Sequence, residues 1–431
     1  MNQTKPQSFA GRFFVSAFSV SALGFAASAG AEIFSVGTPV SPAGEIVAEF
    51  SSSTWPGNPQ LMAASAIRRT GTGSLNDIAR DAVYVSRDGG STWLEVPAWP
   101  GGGLQPSFDP QVFIDNNGVI HASGIGETAE GARVLYTQSR DQGRSWSPAR
   151  IVTPFPSSFR FKSEDKDNLT VAADGTIYIV FNEILTDPEG PRGLIVARSA
   201  DAGRTWITRD TGGAGFPNGI VTGPGGTVTV AFVVGVLPGY GTVTSTDGGD
   251  TWRTPVNLGD ANFSQGLQLP SIVRDSRNRV VIGNLAGPNK PIIEISVERL
   301  NGTLERQWTL PLPDSKACRQ GRRMQPALAD SPDRPPAFQF ACKIDPTDTT
   351  PGTMEVWLYP DVDKPTLDPV LVTRFTLPPR VPQGPFAERF SDGGDYWSFT
   401  FGPAGWLSMW VDPRLKAGPG QLRAAPVTPI D

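Results

Sequence analysis

One eight-residue phrase occurs four times and constrains everything else the chain can fold into. It reads SRDGGSTW at Ser86–Trp93, SRDQGRSW at Ser139–Trp146, SADAGRTW at Ser199–Trp206 and STDGGDTW at Ser245–Trp252. Ser, Asp, Gly, Ser or Thr, and Trp hold the same places in every copy, so the chain carries an internal repeat, which must be placed before any other fold argument. Each copy follows a short β-rich run: AVYV, RVLYT, LIVAR and GTVTS. The Asp side chain can accept bonds from nearby backbone amides, and Gly takes the positive φ that other residues avoid. The Trp opens the next strand and covers the turn. The phrase therefore reads as a hairpin with a polar tie at its tip and an aromatic lid. Asp88, Asp141, Asp201 and Asp247 make the ties, and Trp93, Trp146, Trp206 and Trp252 seal them.

A second, looser repeat interleaves with the first: a short strand, a turn with Gly, Asn or Asp, then a more apolar strand. It appears over Ile46–Ile67, in QVFIDNNGVIHASGI, LTVAADGTIYIVFNE, GIVTGPGGTVTVAFVV, SIVRDSRNRVVIGNL and ALADSPDRPPAFQFA, and finally in SFTFGPAGWLSMWVD. This hairpin plus the tied hairpin makes four antiparallel strands. Such a unit repeated around a ring predicts an all-β β-propeller of four-stranded antiparallel blades. Seven hairpin copies favour seven blades of about 55 residues, whereas six blades would need about 64 each. The 48 Gly and 41 Pro are spread along the chain, as many tight turns require. Blades five to seven lack the phrase, and their later strands are sought in PIIEISVERL, MEVWLYP, LVTRFTL and QLRAAPV. The extreme N- and C-terminal strands are expected to pair in one blade, which closes the ring and removes exposed edges.

The pattern S-x-D-x-G-x-[ST]-W resembles the Asp box, or BNR repeat, of sialidases and related β-propellers. The resemblance implies that these hairpins lie on the outer rim, away from the chemistry. It also implies three arginines that clamp a substrate carboxylate, a Tyr nucleophile beside a Glu, and an Asp acid/base. The stretch GDYWSFTFGPAGWLSMWVD looks like the family's Tyr-bearing strand and puts the nucleophile, or its helper, at Tyr396. Arg68 and Arg69 lie where an early family arginine falls, without the Arg-Ile-Pro signature. In the fifth unit Gln268 and Asn284-Leu285 stand where the family has a Glu and an Arg. Arg323 and Arg389 remain as late arginines that could reach the channel. The clamp is thus incomplete, and hydrolysis of a sialoside is the lesser expectation.

Propeller chemistry usually sits at the mouth of the central channel, so residues just before each inner strand are the candidates. These are Asp109; Asp165, Lys166 and Asp167; Asn218; Gln268; Arg323 with Gln325; and Asp395 with Tyr396. Such a ring of mixed charge suits a sugar-like ligand or simply solvates the channel. Tyr396, Asp167 and Asp109 are the catalytic candidates, with a carboxylate such as Asp167 as proton donor. Arg323, Arg69, Gln268, Asn218 and Lys166 are the substrate-binding candidates. His121 with Glu127 offers a polysaccharide lyase as an alternative, and Glu164–Asp167 could hold calcium or merely cap a strand. No zinc spacing, phosphate loop or serine elbow is present, and no cofactor is implied.

The net charge is −5 with no long run of either sign, which excludes a nucleic-acid partner. Lys5 and Arg12 precede the short apolar run Phe13–Ala27, and Ala29-Gly30-Ala31 fits a cleavage site, so residues 1–31 read as a signal peptide and 32–431 as the propeller. The expected location is periplasmic or secreted, not membrane-embedded. Cys318 and Cys342, the two cysteines, are expected to form a disulfide there. The leading expectation is an exported sialidase-like protein that binds, and can hydrolyse, a glycan at the channel mouth. Its rival is a non-catalytic propeller that binds a protein partner or a sugar.

Overall fold

A computed structural model describes residues 37–100, 103–129, 131–153, 161–185, 193–234, 239–260, 269–286, 292–380, 384–413 and 420–428. The signal-peptide reading lies outside these residues. Seven four-stranded antiparallel sheets form the blades. Their innermost strands are Val47–Thr54, Phe108–Ile114, Phe161–Val171, Phe216–Gly223, Ser271–Arg274, Arg322–Ser331 and Thr400–Gly402. Each innermost strand touches those of the two neighbouring blades in cyclic order, and blade 7 returns to blade 1. Blade 7 is completed by Gly405–Asp412, Gln421–Val427 and the N-terminal Thr38–Pro39, which pairs Thr38 with Ala424. At this seam Ser398 and Ser52 share a 2.9 Å hydroxyl contact, as do Thr400 and Thr54. The helices are single turns of four or five residues. No helix among the described residues is long and apolar enough to cross a membrane.

The core lies between blades, which explains the sequence of the middle strands. A blade is covered on both faces, so its second strand reads as a continuous apolar run rather than an alternating one. In blade 3, Ile177, Ile179 and Phe181 pack towards blade 2, while Tyr178 and Val180 pack towards blade 4. The outermost strand of blade 5, Leu304–Leu310, has one covered face at most and is largely exposed.

All four Asp-box phrases sit between the third and fourth strands of blades 1 to 4, on the rim at the lower face, where the inner-hairpin turns also lie. In blade 2 Asp141 accepts from Ser139 Oγ at 2.8 Å, Ser145 N at 2.8 Å and Ser145 Oγ at 2.6 Å. Gly143 N donates to Ser139 Oγ at 2.8 Å, and Trp146 Nε1 donates to Gly143 O. The hydroxyl and amide of Ser145 lower the Asp141 pKa to about 2. The fourth and fifth positions are both left-handed, so Gln142 and Ala202 hold φ of 62° where the other two copies have Gly. That twist turns the fourth-position carbonyl to the preceding blade. Gln142 O accepts from Arg87, Ala202 O from Gln138, and Gly248 O from Arg198. The boxes thus chain neighbouring blades together as well as tying their own tips. Blade 6 lacks a box, and there Asp363 takes Arg277 and Arg279 from blade 5. Cys318 and Cys342 join in a disulfide that fastens the short helix Lys316–Gln320 to blade 6.

Candidate functional site

The site is built by one bulge repeated around the ring. In blades 1, 2, 3, 4 and 6 the innermost strand places two residues opposite one on its partner, near its upper end. The register between blades is fixed by side-chain bonds: Val112 N donates to Ser51 Oγ, Leu328 N to Ser271 Oγ, and Ser52 N to Ser398 Oγ. Two residues before Ser51, Gln111, Asn168, Ile220, Ser271, Ala327 and Ser398 stand Glu49, Asp109, Lys166, Asn218, Leu269, Gln325 and Tyr396, one from each blade. Glu49, Asp109, Lys166 and Gln325 have φ of 40°, 54°, 55° and 61°. Four left-handed non-glycine residues at one register store conformational strain of about 1–3 kcal/mol each, and strain of this kind gathers at functional sites. The sequence places Asp109, Lys166, Asn218, Gln325 and Tyr396 just before the inner strands. The first four lie inside them, because the bulge lets the strand continue past the ring, whereas Tyr396 does precede Thr400–Gly402.

The ring's centre is Lys166. Its Nζ lies 3.0 Å from Asp109, 2.9 Å from Asp395 and 3.6 Å from Glu49, and 5.7 Å from the Tyr396 ring centroid. Arg389, on the single-turn helix Pro385–Arg389, donates to Asp395 at 2.9 and 3.3 Å, and Asp395 N donates to Glu49 at 3.0 Å. The carboxyl groups respond differently. Burial pushes Glu49 up to about 8, with Lys166 pulling it down only in part. Burial would raise Asp395 too, but Lys166 and Arg389 prevail and hold it well below the usual carboxylate range. Burial lowers the Lys166 ammonium pKa, yet Asp109, Glu49 and Asp395 outweigh it and hold it above normal. Burial, and then the charge of Asp109, keep the Tyr396 phenol protonated.

Below the ring the channel holds a cavity of about 340 Å³. Tyr396 and Asn218 of the ring reach its wall, together with Gln111, Asn168, Thr170 and Ser398, and the aromatic faces of Phe113 and Trp397. Such convergent hydroxyl and amide groups among aromatic surfaces are the usual lining of a polar small-molecule site.

Tyr396, Asp109 and Lys166 meet in this cluster, and Asn218 stands at the same level. Asp167 does not join them. Its carboxyl receives Ser123 Oγ at 2.5 Å from the second strand of blade 2, and burial raises its pKa well above normal. Arg69 ends the second strand of blade 1, half-buried and bonded to none of the ring. Arg323 is half-buried on the first strand of blade 6, where burial lowers its pKa. Gln268 lies outside the described residues, and the ring position of blade 5 belongs to Leu269. His121 is no lyase base. It bonds Tyr136 at 2.7 Å and faces Asp115 at 3.4 Å, at the lower end of a strand whose upper end bears Glu127, roughly 20 Å away at strand rise. The calcium alternative also fails. Glu164 is spent on Val134 N and Thr153, and among the described residues no three acidic, His or Cys groups could hold a metal ion. The sequence reading missed Glu49 and the buried Asp81. Glu49 was within reach, since it precedes Ser51 by the same offset as Asp109 precedes Gln111. Asp81, on a third strand, carried no signal.

A family model described as a BNR repeat-like domain matches residues 58–211. The leech intramolecular trans-sialidase complexed with 2,7-anhydro-Neu5Ac aligns with a TM-score of 0.51 at 15% identity, over 72% of this chain and 67% of its own. A protein of unknown function from Dyadobacter fermentans gives 0.49 at 16%, over 69% and 91%. The intramolecular trans-sialidase of Ruminococcus gnavus with oseltamivir carboxylate gives 0.49 at 14%, over 72% and 92%. No curated protein sequence matches the chain. Identities this low speak to the fold alone. With four tied hairpins on the rim and seven closed blades, the chain is an Asp-box, or BNR-repeat, β-propeller. More particularly, its propeller is sialidase-like in fold.

Proposed function

We propose that this protein is an exported glycan-binding propeller whose ligand lies in the central channel and meets the ring at Tyr396. The observation that carries this reading is the cavity of about 340 Å³ lined by hydroxyls, amides and aromatic side chains and capped at its upper end by the ring. Its wall offers many neutral hydrogen-bonding groups and few charges, which suits a neutral sugar better than a sialic acid. Arg322 and Arg389 are already held by Asp345, Asp392 and Asp395, and the arginine on the cavity wall, Arg274, shares its space with the carboxyl group of Asp330, which disfavours a sugar carboxylate there. Calorimetry with neutral oligosaccharides and with 3′-sialyllactose tests the reading. Neutral sugars should bind more tightly, and Asn218→Ala or Tyr396→Phe should weaken them about tenfold, near 1.4 kcal/mol. Tighter binding of the sialoside, or no binding of any sugar, overturns it.

Glycoside hydrolysis is a second reading, favoured by one observation. Glu49, protonated near neutral pH, and ionised Asp395 lie within 4 Å of the same ammonium nitrogen. Carboxyl groups held in opposite protonation states are what acid and base roles need. Turnover of nitrophenyl glycosides by the wild type, lost in Glu49→Gln with sugar binding retained, supports it. Export rests on Lys5, Arg12 and the Phe13–Ala27 run, and the disulfide fits an oxidising compartment.

A further inference from the structure

Resting on the channel-binding reading, we propose that the ligand enters from the lower face, where the inner-hairpin turns lie, and that Arg274 and Asp330 form a polar subsite at that mouth for the far end of an extended neutral glycan. Three observations combine. Among the described residues the channel is filled at the level of the ring: Glu49, Asp109, Lys166 and Gln325 are each at least 95% buried, and Lys166 is locked to three carboxylates. The cavity instead runs away from the ring along the innermost strands. It continues into a second space of about 420 Å³ that shares Ser52, Phe113, Asn116, Arg274, Asp330 and Ser398 with the first. At the lower end its walls are the exposed turn residues Pro56, Asn116 and Ser276, with Asp330 near the end of its strand. From Tyr396 to those turns is about six residues of strand, roughly 20 Å, too long for one sugar ring and suited to a chain.

Arg274 and Asp330 come from the adjoining blades 5 and 6 and face the same space. One cation and one anion across a narrow mouth leave little net charge but present strong donors and acceptors, which vicinal hydroxyls can satisfy in pairs. A ligand of either net charge meets a like charge as it passes.

The test needs no sugar, because both cysteines are in the disulfide and the native chain offers no free thiol. A single reporter, Gln111→Cys, sits on the cavity wall two residues below the ring. Its labelling rate is measured with anionic 2-sulfonatoethyl methanethiosulfonate and cationic 2-trimethylammonioethyl methanethiosulfonate. Plugging the lower mouth with Ser276→Trp, or independently with Ala173→Trp from blade 3, should slow both reagents at least tenfold, with melting temperature unchanged. Opening the upper end with Arg389→Ala should leave both rates as they were. Arg274→Gln should slow the anion relative to the cation, and Asp330→Asn should do the reverse. Rates indifferent to both plugs, or raised by Arg389→Ala, overturn the lower entrance. Rates slowed by the plugs but indifferent to both charge changes overturn the subsite. A parallel calorimetric run with neutral oligosaccharides on the wild type judges the glycan reading separately, because the thiol rates do not depend on it.

Discussion

At the scale of single residues, two φ signs and one ammonium carry most of the argument. The fourth position of each Asp box must be left-handed, which costs an L side chain about 1 kcal/mol over glycine. Two boxes meet the demand with Gly89 and Gly248, while Gln142 and Ala202 are held there by their neighbours. Ala202→Gly should therefore stabilise the protein by about 1 kcal/mol, offset in part by the looser unfolded chain. Chemical denaturation reads it, and a loss of stability contradicts the assigned twist. Gly203 next door cannot be replaced in the same spirit. A Cβ there would fall 2.3 Å from the Tyr136 ring. In the upper ring Lys166 answers three carboxylates at once. Lys166→Met should cost about 3–5 kcal/mol, the usual result of leaving buried charge uncompensated. A variant melting within a degree or two of wild type would show that the carboxyls simply take up protons.

At the scale of elements, the blades differ in how they are fastened. Blades 2 to 4 accept a bond from the preceding blade through a box carbonyl, whereas blade 6 receives two arginines on Asp363 and a bond from Trp308 Nε1 to Val362 O. Blade 6 has an added fastening in its disulfide, whose cysteines lie 24 residues apart and are fully buried. Closing a loop of that length restricts the unfolded chain by about 3 kcal/mol. The double variant Cys318→Ala, Cys342→Ala should lose about that much stability while keeping its β-sheet circular dichroism. An unchanged denaturation midpoint would mean that the covalent link adds nothing to the packing already there.

At the scale of the whole molecule, the ring of seven residues is where all blades meet, so its protonation is a property of the assembled propeller. Folded Glu49 keeps its proton up to about pH 8, whereas an unfolded glutamate releases it near 4.5. Between those values the folded chain binds more protons than the unfolded one. Stability must then fall as pH rises through the window, by up to about 1.4 kcal/mol per pH unit. Glu49→Gln should flatten that slope in melts collected from pH 5 to 8. A variant with the wild-type slope would assign the titration elsewhere.

What the chain's own order of residues determined is whatever is held together locally. The box closes through bonds between residues two to four apart, so Ser, Asp, Gly and Trp at fixed offsets announce it, and the seven inner hairpins announce the blade count in the same way. Placement just before each inner hairpin also pointed to Tyr396, Asp109, Lys166 and Asn218. What only the folded ring decided is every contact made by closure. Lys166 meets Asp395 across 229 residues, and Asp395 meets Glu49 across 346. No local pattern records such pairs, because their geometry is set by the register of seven separate sheets around one axis. For the same reason the bulges that turn Asp167 aside, and the filling of the upper channel, became visible only once the blades were packed.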